Sequence, residues 1–135
     1  MKRILVIGGD SRTGSAIARA APTEVAVVSR RGTRNESTYI VRDYRSIPAD
    51  IFAGYHIVVN CVGAVSGSDD DLATANVETP LAIAQTATAA GVEMFVQISS
   101  FSVFGAAPLI KSGQQTSPTS GYGLSKRCSS CCRPT

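Results

Sequence analysis

MKRILVIGGDSRTGSAIA, residues 1–18, decides the fold of this chain. Arg3 to Ile7 is a short run rich in Ile and Val and bounded by glycine, which reads as a buried strand. Gly8-Gly9 ends it, Ser11 to Gly14 read as a turn, and the small residues Ser15-Ala16-Ile17-Ala18 read as a helix start. Strand, glycine turn and helix make half of a βαβ unit. The N-terminus of such a helix carries unpaired N–H groups and a partial positive charge, which suits a phosphate. Gly8, Ser11, Arg12, Thr13 and Gly14 are therefore the candidate phosphate cradle, with Ser11 in the middle place of a three-glycine pattern.

Outward from this unit, Pro22 ends one element and Glu24 to Val28 reads as a second strand, running into Ser29-Arg30-Arg31-Gly32. In a dinucleotide fold this strand end faces the adenosine ribose, where an acid takes the 2′-hydroxyl and arginine accommodates a 2′-phosphate. Arg30 and Arg31, with Arg12 as a further cation, favour NADP over NAD; a solvated basic loop is the plainer reading. Tyr39-Ile40-Val41 reads as a brief third strand. After it, Asp43 has two readings, an acceptor for the adenine amino group with Tyr44 beside the ring, or a cap on the following turn. Ser46 to Phe52 reads as a short helix.

Ile57 to Val62 is a nearly continuous apolar run, as in a central parallel strand covered on both faces. Val62 and Gly63 then stand where small residues let a ligand approach the backbone. Asp69, Asp70 and Asp71 open a helical stretch to Ala90, where first-turn acids complement the helix dipole; calcium binding is the lesser reading. Pro80 should kink or restart this helix, and Gly91 stops it. Val92 to Ile98 reads as a fifth strand ending in Ser99-Ser100, then a loop with Gly105, Pro108, Gly113 and Pro118, then a helix start at Tyr122. Strands separated by helical patterns predict a parallel, doubly wound α/β sheet (a Rossmann fold) in the order 3-2-1-4-5, with a ligand crevice at the C-terminal ends of strands one and four.

Composition agrees with one globular domain. The 135 residues are 44% hydrophobic and 17% charged, enough for a single core. The net charge of +3 is not gathered into a block, so no nucleic-acid partner is expected. No run approaches a membrane span, and Met1 to Ile7 is too short for a signal peptide, so the expected location is the cytoplasm. Cys61 reads as a buried thiol; Cys128-x-x-Cys131, with Cys132, lacks a second ligand pair and His56 is the sole histidine, so no metal is expected.

Tyr122 and Lys126 are four apart and share a helix face. Tyrosine is a poor base at neutral pH unless a nearby ammonium stabilises its phenolate. Ser100, at a strand end, supplies a hydrogen bond for a substrate oxygen, while Tyr122 moves a proton as hydride passes to or from a cofactor.

IGGDSRTGSAIA, GYHIVVNCVGAV, NVETPLAIAQTATAAGVEMFVQISSFSVFG and PTSGYGLSK, in this order, resemble the N-terminal part of the extended short-chain dehydrogenase/reductase family, the NAD(P)-dependent epimerases and dehydratases. The resemblance covers most of residues 1–126. It implies that Gly8, Ser11 and Gly14 cradle pyrophosphate, that Asp43 lies by adenine, and that Val62 and Gly63 lie near the cofactor ribose. It matches Asn76 to the family's asparagine after strand four, and Ser100, Tyr122 and Lys126 to its catalytic triad. The implied activity is oxidoreductase, epimerase or dehydratase chemistry on a nucleotide sugar or similar carbonyl or alcohol, with family dimers suggesting a homodimer. Two departures stand out. Ser11 replaces a glycine, and RCSSCCRPT follows Lys126 where the family continues into a substrate lobe. The expectation is an incomplete dinucleotide-binding domain over 1–127, an atypical tail over 128–135 from truncation or a shifted reading frame, and no substrate domain. A non-catalytic NADP-binding or sensing protein, or an inactive fragment, is the competing reading.

Overall fold

Four consecutive β-branched or leucine residues, Ile4–Ile7, form strand β1, and the computed structural model buries three of them completely. The structure describes residues 1–21 and 23–131; the expected break at Pro22, and Cys132 and Pro134 of the tail, lie outside the described residues. Helix α1 (Arg12–Ala20) follows β1, then β2 (Val25–Ser29), β3 (Thr38–Ile40), two 3-10 turns (Tyr44–Ser46 and Ala49–Phe52) and β4 (Ile57–Asn60). Helix α2 (Asp69–Ala73) passes through a π turn (Thr74–Glu78) into α3 (Thr79–Ala89). Strand β5 (Met94–Gln97), a 3-10 turn (Phe101–Phe104) and α4 (Gly121–Cys131) complete it.

All strand pairs are parallel and the order is β3-β2-β1-β4-β5, as the pattern of apolar runs predicts. Alternate residues of each strand feed opposite layers. Leu5, Ile7, Val28 and Val58 pack with Phe52, Tyr55, Ile83 and Ala87 on one face. Val6, Val27 and Val59 pack with Ile17 and Ala18 of α1 on the other. Covering both faces is what a parallel sheet requires. The β2–β3 connection, residues 30–37, has no helix. It borders an open cavity of about 460 Å³ beside α1.

Several boundaries differ from the sequence reading. α1 begins at Arg12, not Ser15, because Ser11 is its N-cap and accepts the Gly14 N–H at 2.9 Å. The expected helix over Ser46 to Phe52 is instead two 3-10 turns. Pro48 lacks an N–H and holds Ile47 extended (φ −64°, ψ 124°), so no α-helix runs through. Another 3-10 turn, Phe101–Phe104, occupies the start of the expected loop after Ser100. Pro80 explains the π turn: with no N–H at residue 80 the ladder breaks, and the Thr79 N–H reaches back to Thr74 O, whose carbonyl also accepts Thr79 Oγ1 at 2.8 Å. Asp69, Asp70 and Asp71 occupy the first turn of α2, where they were expected, and Asp71 forms in addition a capping box with Ser68 that the sequence reading did not foresee. α4 spans Gly121–Cys131, starting one residue before the expected helix start at Tyr122. Among the described residues no helix is long and apolar enough to cross a membrane.

Candidate functional site

The site begins where β1 runs out of sheet partners. The N–H groups of Gly8 and Gly9 both reach Val28 O, at 2.8 and 3.1 Å, and Ser11 N returns to Gly8 O at 3.0 Å. Gly8 takes φ +84°, which favours glycine, and this turn aims the first N–H groups of α1 past the strand end. A Cβ on Gly14 would collide with Gly8 O, so only glycine lets α1 start this close to β1. The side chain of Ser11 is engaged with the Gly14 N–H; it is a helix cap rather than an intrusion into the turn. Arg12 and Thr13 lie exposed on the first turn of α1.

Beside this turn, Gly8, Asp10, Ser11, Arg30, Tyr44 and Val62 line a cleft of about 180 Å³. A larger one, about 430 Å³, continues over Arg30, Asp43, Tyr44, Val62, Gly63 and Thr79. The structure thus brings Arg30, Asp43, Tyr44, Val62 and Gly63 together at the C-terminal ends of β1, β2 and β4. Tyr44 is buried; its hydroxyl donates to Asp10 Oδ1 at 3.3 Å and accepts the Arg30 N–H at 3.2 Å. Burial, with the Asp10 carboxylate nearby, pushes the phenol above its ordinary value. The Arg30 guanidinium lies 5.6 Å over the Tyr44 ring. Asp43 caps the turn after β3, one of its two expected roles. Its Oδ1 accepts the Arg45 N–H at 2.9 Å, and the Arg45 guanidinium holds the carboxyl below its usual range. Arg31 is exposed, and its N–H binds Ser29 Oγ at 3.1 Å.

At the far side, Asn76 is fully buried in the π turn and clamps the backbone after β4. Its Oδ1 accepts the Ala64 N–H at 2.9 Å, and its Nδ2 donates to Ala64 O at 2.8 Å and Ser125 Oγ at 3.0 Å. Ser125 Oγ donates onward to Tyr122 O at 2.8 Å, tying α4 to the β4 loop. Lys126 is 7% exposed and points its Nζ at Ile98 O, 3.4 Å away. A Cβ on Gly63 would stand 2.8 Å from that Nζ and 2.7 Å from Asn76 Oδ1, so the bare glycine is what admits the ammonium. Burial lowers the Lys126 pKa, opposed by the charge that Cys61 can carry.

Ser100 caps the Phe101–Phe104 turn, its Oγ accepting the Ser102 N–H at 3.2 Å, which leaves the hydroxyl proton for donation. Gly123 lies so close to Ser102 O that a Cβ there would collide with it, which seats α4 against that turn. Tyr122 is half-buried on the first turn of α4. Asp10, Ser125 and Thr79 are structural partners that the sequence reading passed over; only Ser125, three residues after Tyr122, carried a positional hint. Among the described residues no cluster of His, Cys, Asp or Glu is placed to hold a metal ion.

A family model described as the NAD dependent epimerase/dehydratase family matches residues 4–132. Among solved structures, MoeE5 in complex with UDP-glucose and NAD is 24% identical with a TM-score of 0.84, over 96% of this chain and 47% of that one. A short-chain dehydrogenase/reductase superfamily protein from Agrobacterium tumefaciens with bound NAD is 25% identical with a TM-score of 0.83, over 96% and 43%. UDP-glucuronic acid 4-epimerase from Bacillus cereus in complex with NAD is 18% identical with a TM-score of 0.80, over 96% and 50%. The chain spans about half the length of these solved relatives. No curated protein matches it.

Proposed function

We infer the function from one premise: this chain belongs to the NAD dependent epimerase/dehydratase family. Residues 1–127 form a nicotinamide-dinucleotide-binding domain, and the activity is that of an oxidoreductase, epimerase or dehydratase acting on a nucleotide sugar or similar carbonyl or alcohol. The turn from Gly8 to Gly14 at the N-terminus of α1 would hold the pyrophosphate of such a cofactor, Arg30, Tyr44 and Val62 would hold its adenosine, and Lys126 would serve its nicotinamide end. The bare glycines fit such a ligand, because Cβ atoms at Gly14 and Gly63 would close the turn and displace the ammonium. Arg30 and Arg31, with Arg12, support acceptance of the 2′-phosphate of NADP. The relatives named above were solved with NAD.

When bound, the nicotinamide supplies or accepts a hydride. The chain's own groups do the rest. Ser100 donates its hydroxyl proton in a hydrogen bond to the reacting substrate oxygen. Tyr122 passes its proton to that oxygen in reduction, or takes one in oxidation. Lys126 holds its ammonium on the same face of α4, one helical turn on, where it can donate a hydrogen bond to the bound ligand. The observation that carries this reading is the buried Lys126 ammonium seated on Gly63, between the ends of β4 and β5.

The test is a calorimetric titration of the chain with NADH and NADPH, followed by turnover of nucleotide sugars with Tyr122→Phe as control. Binding of either dinucleotide, with product formed by the parent and none by Tyr122→Phe, is expected. Absence of dinucleotide binding sinks the reading. Binding with equal low turnover in parent and variant leaves a non-catalytic dinucleotide-binding protein, the competing reading.

A further inference from the structure

We propose that Asp10 is a cofactor-specificity residue: its carboxylate takes a ribose hydroxyl of the adenosine half and opposes a 2′-phosphate, working against Arg30 beside it. The inference rests on the dinucleotide reading above and goes further, naming the group that decides between the two cofactors.

An acid at the end of the second strand ordinarily binds the ribose 2′-hydroxyl. Here that strand ends in Ser29, which is fully buried and whose Oγ is taken by the Arg31 N–H. Arg30, Arg31 and Arg34 follow, and no acid comes before Glu36. A carboxylate nevertheless stands at this strand end, delivered from the turn after β1. Asp10 Oδ1 accepts the Tyr44 hydroxyl, and the same hydroxyl accepts the Arg30 N–H, so one buried phenol fixes Asp10 against the end of β2. Asp10 is exposed and lies on the rim shared by two cavities, the small cleft with Gly8 and Val62 and the open one beside α1.

Arg30 does not neutralise it. The ion pairs among the described residues are Lys2–Glu93, Arg3–Glu24 and Arg45–Asp43, and the Arg30 guanidinium lies over the Tyr44 ring. The small cleft therefore offers a ligand one anion and one cation, Asp10 and Arg30, with no ion pair between them, and Arg19 and Arg34 add cations on the open side. A 2′-hydroxyl finds an acceptor in Asp10. A 2′-phosphate finds Arg30 but also meets a like charge. The arginines alone would make the site select NADP; with Asp10 present, NAD stays competitive.

The experiment measures Kd for NADH and NADPH by calorimetry on the full chain, on Asp10→Asn and Asp10→Ser, and on Arg30→Ala. Asp10→Asn keeps an oxygen acceptor for the Tyr44 hydroxyl and removes only the charge; Asp10→Ser is a second, smaller neutral variant should the first fold poorly. Both Asp10 variants are expected to shift the NADH-to-NADPH affinity ratio about fivefold toward NADPH, the size of one water-screened like-charge contact at about 4 Å. Arg30→Ala should shift it the other way. An unchanged ratio in both Asp10 variants, with NADH still bound, overturns the role of Asp10 and leaves the dinucleotide reading standing. Failure of the parent chain to bind either dinucleotide overturns both.

Discussion

Replacing Asn76 by alanine tests whether the π turn is the clamp that holds α4 and the β4 loop in place. Three hydrogen bonds are lost together: Ala64 N–H to Oδ1, and Nδ2 to Ala64 O and to Ser125 Oγ. A buried hydrogen bond contributes a net of about 1 kcal/mol, and an abandoned buried partner costs more. Ala64 is half-exposed, so water replaces part of its loss; Ser125 is buried, so its loss is less easily repaired. The sum is about 3 kcal/mol, or roughly 10 °C in Tm for a domain of this size. Urea unfolding followed by circular dichroism reads the change directly. Asn35→Ala is the control. Asn35 Oδ1 accepts an exposed loop N–H, that of Ser37, and its removal should cost no more than about 0.5 kcal/mol. A loss below about 1 kcal/mol at Asn76, matching the control, would refute the clamp: solvent would be doing the work assigned to the side chain.

Two further perturbations bear on the strand ends. Gly14→Ala should lower stability by about 2 kcal/mol or more, since its Cβ meets the backbone oxygen of Gly8 and not a side chain that can turn aside; Ser15→Ala, on the same turn and half-exposed, should be near neutral in the same urea titration, and equal losses would count against the close-approach argument. Burial pushes the Cys61 thiol from 9.0 up to about 11, against the opposing Lys126 ammonium, so the folded state favours the neutral thiol. That contribution is fully present below pH 9.0 and is lost as pH rises toward 11, because the unfolded thiol ionises first. The stability of the parent relative to Cys61→Ser should therefore fall across that window, and parallel curves would show the thiol to be as hydrated as a free one.

The strand order was legible because each strand is a short apolar run, and burial on both faces forces such runs in a parallel sheet. Tertiary partners were not. Ser11 looked like a glycine substitute because the motif was read as a ligand loop; its hydroxyl is occupied by the helix it starts, a local cap that the Ser-x-x-Gly spacing could have suggested. Pro48 was visible, yet the segment around it was read as one helix, when a proline with an extended residue before it admits only separate 3-10 turns. Asp10 drew no attention for a different reason: its partner Tyr44 is 34 positions away, and only the sheet brings the two turns to one rim.

Lys126 shows the same division between local and tertiary information. Helical periodicity alone puts it on one face with Tyr122, but says nothing of what that face meets. The answer lies at Gly63, where the absent Cβ leaves room for the ammonium between Ile98 O and the Asn76 clamp. A side chain at 63 would force a choice. The lysine Nζ is the end of a flexible chain and can withdraw, whereas Asn76 is pinned to Ala64 by two backbone hydrogen bonds and cannot. A Cβ there also stands 2.7 Å from Asn76 Oδ1, so withdrawal of the ammonium alone does not make room and the clamp is strained as well. The glycine after β4 therefore serves two structures at once, the crevice whose buried cation it admits and the clamp that ties the β4 loop to α4.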